Sequence, residues 1–245
     1  MPASSNFREA IRDAQSSALV GPNVVNRALP YVGGGMVLTS VGVLGGIASL
    51  GTLGAAAFQG LSLVAIIPWL ILFFVAQNAA NKANNSTALP LLATFSLLTG
   101  FTLTGLILQA VAVAGAASIG IAALATGITF VIASIFGRRM SESVGQALSA
   151  VVGLGMFGLL IAMVGVFIAS IFVGPSIFAG TNLLIAGFGT VLFVGMAFVD
   201  FYTMPRTYND DQYLAGALGM YLTFINLFIF ILRLIISLNG GGRRD

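Results

Sequence analysis

LGMYLTFINLFIFILRL, residues 218–234, is almost wholly apolar, yet it carries Thr223, Asn226 and Arg233 inside it. An α-helix turns by about 100° per residue, so positions three, four and seven apart share a face. Gly216, Gly219, Thr223, Asn226, Phe230 and Arg233 follow one another at spacings of 3, 4, 3, 4 and 3. They form a single narrow stripe of small and polar residues. Leu218, Leu222, Ile225, Ile229 and Leu232 lie off it. Polar groups are costly against lipid, so this seam is expected to face other helices and the helix to lie centrally. Arg233 sits about one turn from the helix end, where its long stem can carry the guanidinium to the membrane surface.

The rest of the chain has the same character. Of its 245 residues, 58% are hydrophobic and 7% are charged, against roughly 25% charged in soluble domains. Seven segments reach the length of about 20 apolar residues that a membrane span requires, near 31–57, 60–78, 88–110, 113–136, 146–173, 179–204 and 212–238. The connections are short. Unpaired backbone is not tolerated in lipid, so the spans must be helices. The predicted fold is an all-α integral membrane protein of seven transmembrane helices. It is divided into a polar tail (1–28), a membrane domain (29–239) and a short C-terminal tail (240–245). FREAIRDAQSSAL in the first tail has a weak amphipathic spacing and suits a soluble or surface-lying segment.

The basic residues set an orientation. Arg8, Arg12, Arg27, Lys82, Arg138, Arg139 and Arg206 all fall on one side of a seven-span chain, and the loops after spans one, three and five carry none. The positive-inside rule then places the N-terminus in the cytoplasm and the C-terminus, with Arg243 and Arg244, on the opposite side. The net charge of +3 is explained by these membrane-edge residues and does not indicate nucleic-acid binding. Cysteine and histidine are absent, which excludes disulfides, thiol nucleophiles, imidazole ligation and serine–histidine catalysis. No enzymatic activity, cofactor or defined metal site is expected.

Asp200 and Arg233 are the two charged residues inside spans, and such residues are the first place to look for function. Asp200, in GMAFVDFYTMPR, reads either as an interfacial carboxylate reaching water or as a cation-facing group in a cavity. Spans six and seven are antiparallel across the turn at 207–211. This sets Asp200 opposite residues 216–220 with Thr223 deeper, and Pro205 is able to shift that register. Glu142, Asp210 and Asp211 are read as solvated loop charges. In VGVLGGIASLG, residues 41–51, Gly42 and Gly46 form a small-xxx-small pair extended by Ser49. Such pairs let helices approach closely.

LPLLATFSLLTGFTLTGLI (89–107), ATGITFVIASIFGRR (125–139), FVDFY (198–202) and GALGMYLTFINLFIFILRLI (216–235) occur in this order. Together they resemble the third, fourth, sixth and last spans of the Bax inhibitor-1 family. The N-terminal region further resembles cyanobacterial members. The resemblance implies six helices around a central last helix. It also implies a calcium-leak role known for some members, in which two aspartates on spans six and seven share a proton and gate the path by pH. Eukaryotic members are associated with cell-death suppression, and one bacterial member modulates a membrane-bound ATP-dependent protease. Asp200 matches the first aspartate of the family pattern, but Thr223 stands at the second. Threonine forms hydrogen bonds and carries no charge, so coupled titration does not carry over.

Two functions follow as expectations. The first is a passive calcium or cation leak with altered pH gating, its path lined by Asp200, Thr223 and Asn226 and its helix seam formed with Gly216, Gly219 and Arg233. The second is a non-conducting partner of a membrane protease or another membrane complex. Either would act in the lipid bilayer of a bacterial inner (plasma) or thylakoid membrane.

Overall fold

The computed structural model describes residues 19–174 and 177–240. Most of the expected N-terminal tail and nearly all of the C-terminal tail lie outside them. The helices are α1 (Val24–Leu53), α2 (Ala55–Val64), α3 (Ile66–Asn81), α4 (Asn85–Ala114), α5 (Ala117–Phe136), α6 (Glu142–Val173), α7 (Ile177–Thr207) and α8 (Tyr213–Gly240). Short 3-10 turns follow α5 and precede α8. With α2 and α3 forming one stretch, seven helices are long and apolar enough to cross a membrane. Large apolar side chains such as Leu154, Phe172 and Leu184 point outward, as a lipid-facing surface requires.

Proline accounts for one of the places where the helices depart from expectation, the break in span two. Span one begins at Val24 rather than near 31 and runs through Pro30. Span two breaks at Ala65, three residues before Pro68. The ring of Pro68 conflicts with the carbonyl of Val64, the residue four positions earlier, and its nitrogen has no proton to donate there. Trp69 resumes the ladder by donating its backbone N–H to the Ala65 carbonyl at 3.1 Å. Pro205 lies inside the last turn of α7. Its carbonyl accepts from the backbone N–H groups of Val20 and Gly21 at 2.9 and 3.0 Å.

The last helix packs against α1, α3, α4, α5 and α7. Leu214, Leu218, Tyr221, Ile225, Leu227 and Leu232 are all buried. The leucines and isoleucine off the polar seam therefore face protein too, because a helix packed against five others has little lipid face to spare. The exception to a ring of six is α6, which packs on α7 and has no extensive contact with α8. Gly145 and Gly155 of α6 let the Tyr202 ring and Leu192 of α7 come close.

The tightest contact in the bundle joins α1 and α4. A methyl group on Gly42 would strike the Leu97 carbonyl, one on Gly100 the Thr39 carbonyl, and one on Gly46 the Thr104 hydroxyl. The Gly42/Gly46 pair is thus a packing device, and Ser49 turns back to its own helix by donating to the Gly45 carbonyl at 2.8 Å. Beside this contact lies a buried polar cluster that the sequence pattern did not single out. The Thr39 and Tyr221 hydroxyls are 2.6 Å apart, and Thr39 also donates to the carbonyls of Gly35 (2.8 Å) and Ser96 (3.2 Å). The Trp69 indole donates to Thr99 at 2.8 Å. Tyr221 is fully buried, so its hydroxyl requires such partners.

Candidate functional site

The polar seam of α8 faces α7 along nearly its whole length. Its first glycine gives room to Met204, whose Cε would lie 2.8 Å from a methyl group on Gly216. Gly219 has open space instead. That space belongs to a cavity of about 140 Å³ lined by Asp200, Thr203, Thr207, Tyr208, Gly216 and Gly219, together with Met204 and Met220. One turn deeper on the same stripe of α8 lies Thr223, which is buried. The antiparallel geometry inferred from the chain thus sets Asp200 beside Gly216 and Gly219, with Thr223 one turn deeper.

Asp200 is held in an unusual state of partial satisfaction. Its Oδ2 is buried with no hydrogen-bond partner among the described residues. A buried carboxylate oxygen without a donor is costly, which makes it notable where it persists. Tyr208 supplies a nearby phenol whose pKa is raised by burial and by the Asp200 carboxylate, against a hydrogen bond from Gln77 that lowers it. It stays neutral and able to donate.

Farther along the same line the seam is filled by aromatic rings. Phe230 stacks on Phe193 with centroids 5.3 Å apart, and Gly189 leaves the room that the Phe230 ring occupies. Beyond this plug a second cavity of about 300 Å³ opens around Arg233, with Asn182, Ile185 and Ala186 of α7 and Leu106 and Gln109 of α4. From Thr223 to Arg233 the rise along α8 is about 15 Å. Asn226 takes no part in either cavity; its amide donates to the Leu222 carbonyl at 2.9 Å.

At the Asp200 end the helices are joined by a staple. Asp210 Oδ1 and Oδ2 accept from the backbone N–H and side chain of Asn23 at 2.9 and 3.1 Å. Arg27 donates to the Asp210 carbonyl at 2.8 Å and pairs with Asp211 at 3.4 Å. Asn85 donates to the Asp211 carbonyl at 3.0 Å, and Gln212 to the Asn81 carbonyl at 2.6 Å. These loop acids are therefore structural, not merely solvated. Their partners lie 126 to 187 positions away, beyond what local spacing can reveal. Arg138, which donates to Asn26 at 2.9 Å, lies at this end too.

A bundle of seven membrane-length helices, the polar-seamed last one packed against five of the others, defines a multi-pass membrane protein. Residues 21–240 match the family model described as inhibitor of apoptosis-promoting Bax1. The chain belongs to that Bax inhibitor family. It is similar to an uncharacterized membrane protein of Streptococcus pyogenes serotype M1, at 33% identity over 67% of this chain and 69% of the relative. It is also similar to the protein YrjE of Lactococcus lactis, at 29% identity over 77% of this chain and 79% of the relative. A shorter similarity, 39% identity over 22% of this chain and 20% of the relative, is to Bax inhibitor 1 of Schizosaccharomyces pombe.

Proposed function

We propose that this protein is a passive, slow cation leak whose path follows the α7–α8 line from the Asp200 cavity, past the Phe193/Phe230 plug, to the Arg233 cavity. The observation that carries the reading is the buried, unpartnered Oδ2 of Asp200, set beside the last helix in a polar cavity. A carboxylate in that place attracts cations, and the rings beyond it form a hydrophobic constriction of the kind that gates by excluding water. The clustering of Arg27, Lys82, Arg138, Arg139 and Arg206 on the Asp200 side supports a cytoplasmic Asp200 end and a C-terminus across the membrane. The bacterial relatives support a bacterial membrane, which we take to be the inner (plasma) membrane; a thylakoid location rests on the cyanobacterial resemblance alone. The mechanism needs no bond-making step, and we assign no enzymatic role.

Flux of calcium and protons into liposomes containing the full chain tests this. The Asp200→Asn variant is expected to lower cation flux by about tenfold, the rate equivalent of losing roughly 1.4 kcal/mol of attraction at the entry. Equal flux in the two proteins removes Asp200 from the path, and wild-type flux no greater than that of empty liposomes ends the leak reading.

Thr223 favours a second reading, a non-conducting modulator of a membrane protease or other membrane complex. With threonine there, a single carboxylate faces the seam, and among the described residues no group of three or more His, Cys, Asp and Glu side chains gathers to hold a metal ion. Calcium prefers about six to eight oxygen ligands, several of them charged. Crosslinking and mass spectrometry in native membranes, with and without residues 2–26, tests this role. Recovery only as an isolated protein, unchanged by the deletion, counts against it.

A further inference from the structure

The Arg233 cavity has a composition that the leak path does not require. Four polar side chains converge on it: Arg233 and Ser237 from α8, Asn182 from α7 and Gln109 from α4. None of the four makes a hydrogen bond or ion pair with another described residue. No acidic side chain lines the cavity; the opposite wall is apolar, formed by Leu106, Ile185, Ala186 and Ile236. The acids of the membrane domain, Glu142, Asp200, Asp210 and Asp211, all belong to the other end of the helices.

We propose that this cavity binds a phosphate oxyanion, carried by a phospholipid headgroup. A guanidinium presents planar, paired donors that match phosphate oxygens, and amide and hydroxyl groups complete the hydrogen bonding. Arg233 stands about two turns before Gly240, the end of α8, a depth at which a snorkelling arginine meets the headgroup layer. The apolar wall continues the site toward the hydrocarbon, which suits a glycerol and acyl stem and offers nothing to a free, fully hydrated anion. The site would tie α4, α7 and α8 together at one end, as the Asn23–Asp210 staple does at the other.

The test uses the full-length protein released from membranes and analysed by native mass spectrometry. Phosphatidylglycerol is compared with a galactosyl diacylglycerol of the same acyl chains, which lacks phosphate. Phosphatidylglycerol is expected to be retained, and Arg233→Gln to reduce its retention by about tenfold, as loss of a charge-assisted hydrogen-bond pair implies. Arg233→Lys should retain an intermediate amount, and Asn182→Leu should weaken retention with the charge left in place. Thermal melting of each variant separates loss of binding from loss of fold. Inorganic phosphate, added as a competitor, distinguishes the two sources of the oxyanion. Its failure to displace the lipid supports a headgroup site, whereas Arg233-dependent binding of free phosphate without lipid preference overturns the lipid assignment. Equal retention of the two lipids, or no effect of Arg233→Gln, overturns the site itself.

Discussion

At one end of the α7–α8 line a carboxylate is walled in by Thr203, Thr207, Tyr208 and two glycines. At the other a guanidinium stands exposed in a wider cleft. The two charges lie on one structural line, but their side chains meet the membrane in different ways. Arginine has a stem long enough to carry its charge to the interface, and aspartate has none. Arg233 is therefore tolerable wherever the surface is within reach. Asp200 must be accommodated where its backbone puts it, and one of its oxygens is not. Exposure makes the arginine charge the cheaper one, and the constraint on function is greatest at the shorter, enclosed aspartate.

The Phe193/Phe230 plug separates the two ends, so removing it breaks the comparison most directly. Phe230→Ala deletes the ring that Gly189 accommodates and joins the cavities along the seam. We expect cation flux to rise by about tenfold or more, a barrier reduction of roughly 1.4 kcal/mol per decade. The same change should destabilise the bundle by about 3–5 kcal/mol, as loss of a buried phenylalanine does, so flux is read at a temperature where melting curves show folded protein. Unchanged flux in folded protein means the cavities are not parts of one path.

Thr223→Asp sharpens the contrast by making the enclosed end doubly acidic. Two facing carboxylates resist double ionisation and share one proton near neutral pH. As pH rises through the upper step the shared proton leaves, the cavity gains negative charge, and cation flux should increase. The wild-type protein, with a single carboxylate and a neutral threonine, should show a shallower profile over pH 6–8, the interval in which a shared proton of this kind is expected to leave. Liposome flux measured against pH checks both; parallel profiles would show that Thr223 has no part in gating.

How much of this was readable from the chain differs between its parts. Span number and the polar seam from Gly216 to Arg233 followed from composition and from 3-4 spacing, since both are local properties. So did the placing of Asp200 beside Gly216 and Gly219, because a short turn between antiparallel helices fixes what lies opposite what. The break at Ala65 was less accessible, because proline is tolerated in membrane helices and its presence alone does not say whether a helix bends or stops. The Thr39–Tyr221 pair and the Asn23–Asp210 staple were not legible at all. Each joins residues more than 180 positions apart, and threonine or asparagine is too common to identify its distant partner. The lack of extensive contact between α6 and α8 likewise depends on packing order, which apolar periodicity does not encode.

The smallest effects come from the two glycines of the Asp200 end, and they distinguish cavity from packing. A methyl group at Gly216 would lie 2.8 Å from Met204 Cε, at the far end of a flexible side chain, whereas one at Gly219 meets nothing within 4 Å. Gly216→Ala is therefore expected to cost about 1–3 kcal/mol of stability if Met204 is forced off its rotamer. Gly219→Ala should leave the melting temperature unchanged or slightly higher, since alanine is favoured over glycine in a helix by about 1 kcal/mol. Its methyl group takes up part of a cavity of about 140 Å³ beside Asp200, so flux should fall by a factor of about two at intact stability, a barrier change of roughly 0.4 kcal/mol. A fall in flux with Gly216→Ala alone, in step with its stability, would assign both glycines to packing and leave the cavity without a role in conduction.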